Sequence, residues 1–431
     1  MNTNSQVPSR ISRFWPFKSI YYGWAIVTAS MLSAAASVPM QGPIMGVFQR
    51  PIQDDLGWTS TSISIGFAIG SGMGGLGSVW VGKILDQRGA RGVTIISGSI
   101  IIGCMVGLAS MTQVWHFWGL FGLARGTAAA GAQLATMVAL ASWFVRKRGR
   151  IVGLLGVGQR VGQVIMPIPI LTIIVTLGWR EAWLALAGFA FLAIVVPSAI
   201  YMRRRPEDYG LLPDGQQVQE DISTQSEVSE AAGEELWSLE EAKKTQTLWA
   251  LIVGQAAVIL AVNATNLHIT ASFIDNGLTQ EAAVTATTIY LAVAALSVFG
   301  WGLVMEHVHT RLLAVISVSL YFVSMLFAIF ANSFLVAVLF SVAYGSALGV
   351  WTVVSRMLFA NYFGRKSFGT IRGFAAPIMS GVSMIGPIFA GAVRDYTNNY
   401  DLAFSIFSIV FIIALVAFAI AKPVSKKTYN P

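Results

Sequence analysis

A charged cluster occurs twice in this 431-residue chain, with the same spacing in both copies. Three residues of the first copy have counterparts in the second half at one constant interval: Gly82 with Gly302, Asp86 with Glu306, and Arg91 with Arg311. The same interval relates two further pairs, Gly153 with Gly373 and Pro167 with Pro387. Self-similarity over so long a stretch predicts a chain built from two parallel copies of one structural unit.

The composition identifies the environment of these copies. Hydrophobic residues make up 55% of the chain and charged residues 11%, whereas an ordinary soluble domain has about 25% charged residues. A helix needs about 20 apolar residues to cross the hydrocarbon core of a membrane. Twelve stretches meet that length: 20–48, 60–84, 92–111, 115–144, 151–176, 180–202, 247–273, 283–305, 312–331, 334–360, 370–393 and 401–421.

The predicted fold is an all-α membrane protein of twelve transmembrane helices in two six-helix repeats. Helices are expected because the hydrocarbon core leaves no water to satisfy backbone polar groups. The division is a tail at 1–19, a first bundle at 20–202, a linker at 203–246, a second bundle at 247–421 and a tail at 422–431. Within the linker, Ser238 and Glu241 have the spacing of a capping box and predict a short helix.

Basic residues predict the orientation of the chain in the membrane. Most lie in loops on one side, including the Arg146 to Arg150 cluster, while Arg50, Arg180 and Arg394 lie on the other. The positive-inside rule then places both termini in the cytoplasm of a multi-pass protein in the cell membrane. The net charge of +8 is therefore a sign of topology and not of nucleic-acid binding.

The stretch Gly82-Lys83-Ile84-Leu85-Asp86-Gln87-Arg88-Gly89-Ala90-Arg91 resembles the signature loop of the major facilitator superfamily. The sequence Leu123-Ala124-Arg125-Gly126 resembles a second motif of that superfamily. Tyr21-Tyr22-Gly23-Trp24, the segment from Phe48 to Trp58, and Arg204 to Gly210 are similar to bacterial monocarboxylate-transporter and oxalate:formate-antiporter members. This resemblance implies the major facilitator fold, a monomer, and a secondary transporter that works by alternating access.

Two arginines are the principal candidates for substrate binding. Arg125 and Arg160 lie near the middle of the predicted fourth and fifth spans, where an ionised side chain usually faces a watery cavity or a partner. For Arg125, substrate contact and bracing of neighbouring helices remain equal alternatives. Gln163 shares the helix face of Arg160, and Gln41 lies where related monocarboxylate transporters carry a lysine in the first span.

The acidic residues lie at the ends of the predicted spans, so the interior carries positive charge only. No Asp or Glu occurs between residues 87 and 180. An anionic substrate would supply the missing charge, because arginine binds a carboxylate through paired hydrogen bonds. In the second half the polar candidates are Asn263, Asn266, His268 and Tyr344, the last being matched to Arg125 at an interval one residue shorter than that of the charged cluster.

The repeated loop residues are assigned a conformational role. Charged loops at corresponding ends of two bundles can form ion pairs in one state that break in another. The predicted gating residues are Gly82, Asp86, Gly89, Arg91, Glu306 and Arg311.

The sequence therefore predicts a secondary active transporter of a small organic anion, with a carboxylate favoured, and not an enzyme. Its partners are the substrate, the lipid bilayer and a proton or a counter-anion; no cofactor, metal or nucleic acid is expected. The alternatives are an exporter of neutral or cationic solutes or drugs, and a receptor that binds a solute without moving it.

Overall fold

A computed structural model describes residues 21–144, 148–209, 211–212, 214, 238–304, 308–363 and 368–421. Twelve helical spans are present in these ranges. In the first half they are span 1 (Gly23–Leu56), span 2 (Ser60–Arg88), span 3 (Ala90–Ala109), span 4 (Val114–Thr127, Ala128–Gln133 and Leu134–Trp143), span 5 (Arg148–Ile165 and Pro167–Thr176) and span 6 (Trp179–Ala190, Phe191–Val195 and Val196–Tyr201). In the second half they are span 7 (Gln246–Asp275), span 8 (Gln280–Val304), span 9 (Thr310–Ile329), span 10 (Phe334–Phe363), span 11 (Phe368–Thr397) and span 12 (Asp401–Ile420).

Eleven of these spans are long enough, and apolar enough, to cross a membrane by length and composition alone. Span 4 is the twelfth, and a π-helical turn at Ala128–Gln133 divides it into shorter α-helical pieces. The predicted all-α fold is confirmed.

Helix boundaries reproduce the repeat that the sequence predicts. Spans 2, 3, 4 and 5 begin at Ser60, Ala90, Val114 and Arg148. Spans 8, 9, 10 and 11, in the same order, begin at Gln280, Thr310, Phe334 and Phe368, each later by the interval that separates Gly82 from Gly302. The ends of spans 9 and 10 follow those of spans 3 and 4 by the same interval. The pairing of Arg125 with Tyr344 used an interval one residue shorter than this and is therefore wrong for spans 4 and 10. By the interval of the helix boundaries, the counterpart of Arg125 is Gly345.

The repeated arginines each bind the end of the last helix of their own half. Arg91 donates from Nη2 to the carbonyl of Ala199 at 2.7 Å, and Arg311 donates from Nη2 to the carbonyl of Ala419, which is the counterpart of Ala199 in the repeat. Arg311 also donates from Nε to the carbonyl of Phe418 at 3.1 Å. The last carbonyls of a helix have no intrahelical partner, so a cation there satisfies them and complements the helix dipole.

Gly89 connects spans 2 and 3 with a φ of 76°, in the left-handed region. A Cβ atom at Gly89 would lie 2.8 Å from Cγ of Arg204. We expect Gly89→Ala to lower the free energy of unfolding by about 1–2 kcal/mol, because an L-residue is strained at this φ. Gly92→Ala is the matched control, since nothing lies within 4 Å of a Cβ atom there. Thermal unfolding of both variants in the same detergent tests this, and equal shifts would contradict it.

The chain divides into two compact units. Unit 1 contains residues 1–44 and 69–220, and unit 2 contains residues 45–68 and 221–431. The second part of span 1 and the start of span 2 thus belong with the second half of the sequence. The division of the sequence into bundles at 20–202 and 247–421 stays a prediction, and the contacts that join residues 45–68 to unit 2 are described below.

The linker contains the helix that its capping box predicts. A helix at Leu239–Lys243 begins after Ser238, whose Oγ accepts from the backbone N–H of Glu241 at 3.2 Å. Glu241 in turn accepts from the backbone N–H of Ser238 at 2.8 Å. Most of the predicted linker, residues 215–237, lies outside the described residues.

Candidate binding sites in the two units

Span 1 is interrupted in unit 1, and the interruption organises the first candidate site. Its helix ends at Ala36, a 3-10 turn follows at Val38–Met40, and Gln41 is extended with φ −103° and ψ 155°. A break of this kind frees backbone carbonyls that a continuous helix would satisfy. In membrane transporters such discontinuous helices are typical of binding sites.

Arg125 of span 4 binds this interruption. Its Nη1 donates to the carbonyl of Met40, and its Nε donates to Oγ of Ser71 at 3.2 Å. Gly70 makes room for the arginine, because a Cβ atom there would lie 2.7 Å from Cβ of Arg125. Arg125 therefore braces spans 1, 2 and 4, and whether it also contacts substrate stays a prediction.

Span 5 approaches span 1 closely enough to bring a second arginine to the same place. A Cβ atom at Gly158 would lie 2.8 Å from Cα of Met31, and one at Gly162 would lie 2.9 Å from Cα of Ala35. Between these glycines, Arg160 donates from Nη1 to Oε1 of Gln163 at 2.9 Å. Arg125 thus contacts residue 40 directly, and Arg160 is linked to residue 41 through Gln163.

In this cluster each side chain donates a hydrogen bond to the next, from Arg160 to Gln163 and from Gln163 to Gln41. A guanidinium only donates, so the Gln163 oxygen must face Arg160 and its NH2 group must face the other way. That NH2 group donates to Oε1 of Gln41 at 2.5 Å. Both amide oxygens are therefore engaged, and within the described part of the chain the NH2 group of Gln41 donates to no protein acceptor. The cluster offers donors and positive charge.

The candidates of unit 2 form a second cluster with the same polarity. Tyr344 is fully buried and donates from its hydroxyl to Oδ1 of Asn266 at 2.9 Å, and the hydroxyl of Tyr290 lies 3.5 Å from the same oxygen. The amide NH2 group of the half-buried Asn266 makes no hydrogen bond among the described residues. Asn263 is also half-buried and lies one turn earlier in span 7.

His268 lies in a different environment, fully buried among polar groups. Its Nε2 is 3.0 Å from the carbonyl of Pro387 and 3.0 Å from Oγ of Ser64, and its Nδ1 is 3.1 Å from Oε1 of Gln49 and 3.2 Å from the hydroxyl of Tyr400. These partners lie in spans 1, 2 and 11 and at the residue that precedes span 12. A role for His268 in substrate binding stays a prediction, and in this conformation its ring nitrogens are occupied by the protein.

An ionic cluster that the sequence did not predict ties residues 45–68 to the rest of unit 2. Asp275 accepts from Nη1 of Arg50 at 3.0 Å and from Nε of Arg394 at 3.1 Å, and its side chain is only 5% exposed. The signal available in the sequence was that Arg50 and Arg394 are two of the three basic residues assigned to this side of the membrane, with Asp275 at the end of span 7.

Asp395 joins the same segment by capping span 2. Its two carboxylate oxygens accept from the backbone N–H groups of Ser60 and Thr61, each at 2.8 Å. A carboxylate at a helix N-terminus satisfies orphan donors and complements the helix dipole. Gly391, one turn before Asp395, packs against the backbone of Ser60, where a Cβ atom would lie 2.9 Å from the Ser60 carbonyl.

The predicted gating residues have different outcomes. Gly82 and Asp86 lie within span 2, Gly89 forms the turn after it, and Arg91 and Arg311 bind helix ends within their own units. Glu306 lies outside the described residues. The proposed conformational role of this set stays a prediction.

Comparison with known proteins shows the family of this chain. The family model of the Major Facilitator Superfamily matches residues 23–274. The MFS-type transporter hasB of Aspergillus fumigatus is 30% identical over 194 residues, covering 41% of this chain and 41% of the relative. The fujikurins efflux protein of Gibberella fujikuroi is 28% identical over 193 residues, covering 42% of this chain and 39% of the relative. The chain thus spans about two-fifths of the length of these curated relatives.

Solved structures share the fold over nearly the whole chain. The crystal structure of the nucleoside transporter NupG aligns with a TM-score of 0.70 at 12% identity, covering 95% of this chain and 100% of that one. A point mutant of the same transporter aligns with a TM-score of 0.71. At this identity the likeness concerns the fold alone.

Proposed function

Because the chain belongs to the Major Facilitator Superfamily, whose model matches more than half of its length, we propose that it is a secondary transporter of a small organic anion, with a carboxylate as the favoured class. The observation that carries the substrate class is the polarity of the two clusters. Around residues 40 and 41 two arginines bring positive charge, and the amide oxygens of Gln41 and Gln163 are already engaged.

The cluster of unit 2 supports the same class. Tyr344 and Tyr290 both approach the oxygen of Asn266, so the amide presents its NH2 group as a donor. A ligand that binds the donors of either cluster must be rich in acceptors. A carboxylate has about four lone-pair sites and pairs well with a guanidinium, whereas a cation would meet like charge.

Whether the chain resembles the monocarboxylate and oxalate:formate members in substrate stays a proposal. Efflux, as the name of the Gibberella fujikuroi relative states for that protein, is a second candidate for the direction of transport. Net flux in proteoliposomes separates either kind of transporter from a receptor that only binds.

The substrate class can be tested before the substrate is known. We expect carboxylates to stabilise the purified protein against thermal unfolding more than the uncharged amides of the same acids. A ligand at 100 times its dissociation constant adds about 2.7 kcal/mol to the stability of the folded state. Loss of one charged hydrogen bond costs about 1.5–3 kcal/mol, which corresponds to a tenfold to hundredfold weaker affinity for the amide.

Arg160→Gln is the decisive variant in this screen, because glutamine keeps a polar side chain but removes the charge. The preference for acid over amide should disappear in it. Equal stabilisation of the wild-type protein by acids and amides would contradict the proposed anion and favour a neutral solute.

A further inference from the structure

An apolar groove lies on unit 1. It is lined by spans 2, 3 and 4, and its volume is about 290 Å³. Small residues of span 4 form one wall: Gly126, Ala130 and Gly131. The π-helical turn at Ala128–Gln133 contributes two of them, and such turns occur often at functional sites.

The other walls consist of aliphatic side chains that remain accessible. Met73 and Ile84 of span 2 are 41% and 44% exposed, and Ile96 of span 3 is 61% exposed. Because the lining is mainly aliphatic and the three helices are membrane spans, an acyl chain is an occupant that fits this groove.

A basic and an aromatic side chain of span 2 are next in sequence to residues that line one end of the groove. Ile84 and Val93 line the groove where spans 2 and 3 meet, and Lys83 is adjacent to Ile84. The ammonium group of Lys83 lies 5.8 Å from the ring centroid of Trp80, and Trp80 is 72% exposed. Tryptophan and lysine at the end of a span are typical of the lipid headgroup level.

We propose that this groove binds one anionic phospholipid. An acyl chain occupies the space between spans 2, 3 and 4, and the phosphate lies at Lys83 beside Trp80. The positive-inside orientation predicted from the sequence places this end of the groove in the cytoplasmic leaflet, where anionic lipids are concentrated. The occupant is a lipid and not a transported solute, because the groove is lined mainly by apolar side chains.

Native mass spectrometry of the full-length protein, titrated with a phosphatidylglycerol and with a phosphatidylcholine of identical chains, tests this proposal. We expect one phosphatidylglycerol to bind per chain more tightly than phosphatidylcholine. Lys83→Gln should reduce the affinity for phosphatidylglycerol about fivefold, because that is the factor by which one lysine near an anionic lipid surface raises the affinity. The affinity for phosphatidylcholine should not change. Lys243→Gln, which removes a lysine paired with Glu240 at 3.0 Å, is the charge-matched control.

Two variants test the acyl-chain part separately. Ala130→Leu adds a larger side chain at a buried lining residue of the groove. Ile96→Trp adds one at an exposed lining residue, where the substitution does not disturb folding. Both should weaken the binding of both lipids at least fivefold, whereas Gly188→Leu, which adds a side chain on an open face of span 6, should not. Equal binding of the two lipids by the wild-type protein, or unchanged binding in Lys83→Gln and in Ile96→Trp, would overturn the proposal.

Discussion

Replacing Arg160 by lysine is expected to weaken binding and uptake of a carboxylate substrate by about tenfold to hundredfold, although the charge is kept. The guanidinium donates to Gln163 from one nitrogen of a planar fork of donors, whereas lysine has only a point-like ammonium group that cannot reproduce that geometry. Loss of one charged hydrogen bond of about 1.5–3 kcal/mol gives the expected factor. The measurement is uptake of a carboxylate found by the thermal-shift screen, at equal abundance in proteoliposomes.

Arg180→Lys provides the matched control for that experiment. Arg180 lies at the start of span 6, with its guanidinium 4.1 Å from the ring centroid of Trp179, and it takes no part in the cluster at residues 40 and 41. We expect uptake by this variant to stay within about twofold of the wild type, as for a surface substitution. If Arg160→Lys and Arg160→Ala both transport normally, Arg160 does not contact the substrate.

Asp275→Asn is expected to destabilise unit 2 by about 3–5 kcal/mol. The carboxylate is the shared partner of Arg50 and Arg394, and its removal leaves two guanidiniums close together without a counter-charge at that position. Both arginines keep some exposure, with side chains 27% and 19% accessible, so the lower end of the range is favoured. Chemical denaturation in detergent measures the loss.

Asp54→Asn is the control, because it removes a surface ion pair of Arg50, whereas Asp275→Asn removes a buried carboxylate that two arginines share. Asp54 also pairs with Arg50, at 3.6 Å, but its side chain is 68% exposed. Removing its charge should cost less than about 1 kcal/mol, because solvent screens such pairs. Similar losses for both aspartates would show that burial of Asp275 adds nothing to the pairing.

The sequence by itself determined the architecture, because the relevant signals are local or periodic. Apolar stretches of membrane-spanning length indicated the helices, and the constant interval between repeated residues indicated their duplication, which the starts of spans 2 to 5 and 8 to 11 reproduce. The capping box at Ser238 and Glu241 was equally readable, since both partners lie within one helical turn.

Only the tertiary structure decided what the charged and polar side chains bind. Arg125 reaches a carbonyl 85 residues away, Gln163 bonds to Gln41 across 122 residues, and Arg394 meets Asp275 across 119 residues. Contacts between residues far apart in the sequence also accompany the break of span 1 at Gln41, and they assign residues 45–68 to unit 2. Such contacts depend on which helix faces pack together, and glycines such as Gly158, Gly162 and Gly391 permit that packing without any mark in the local pattern.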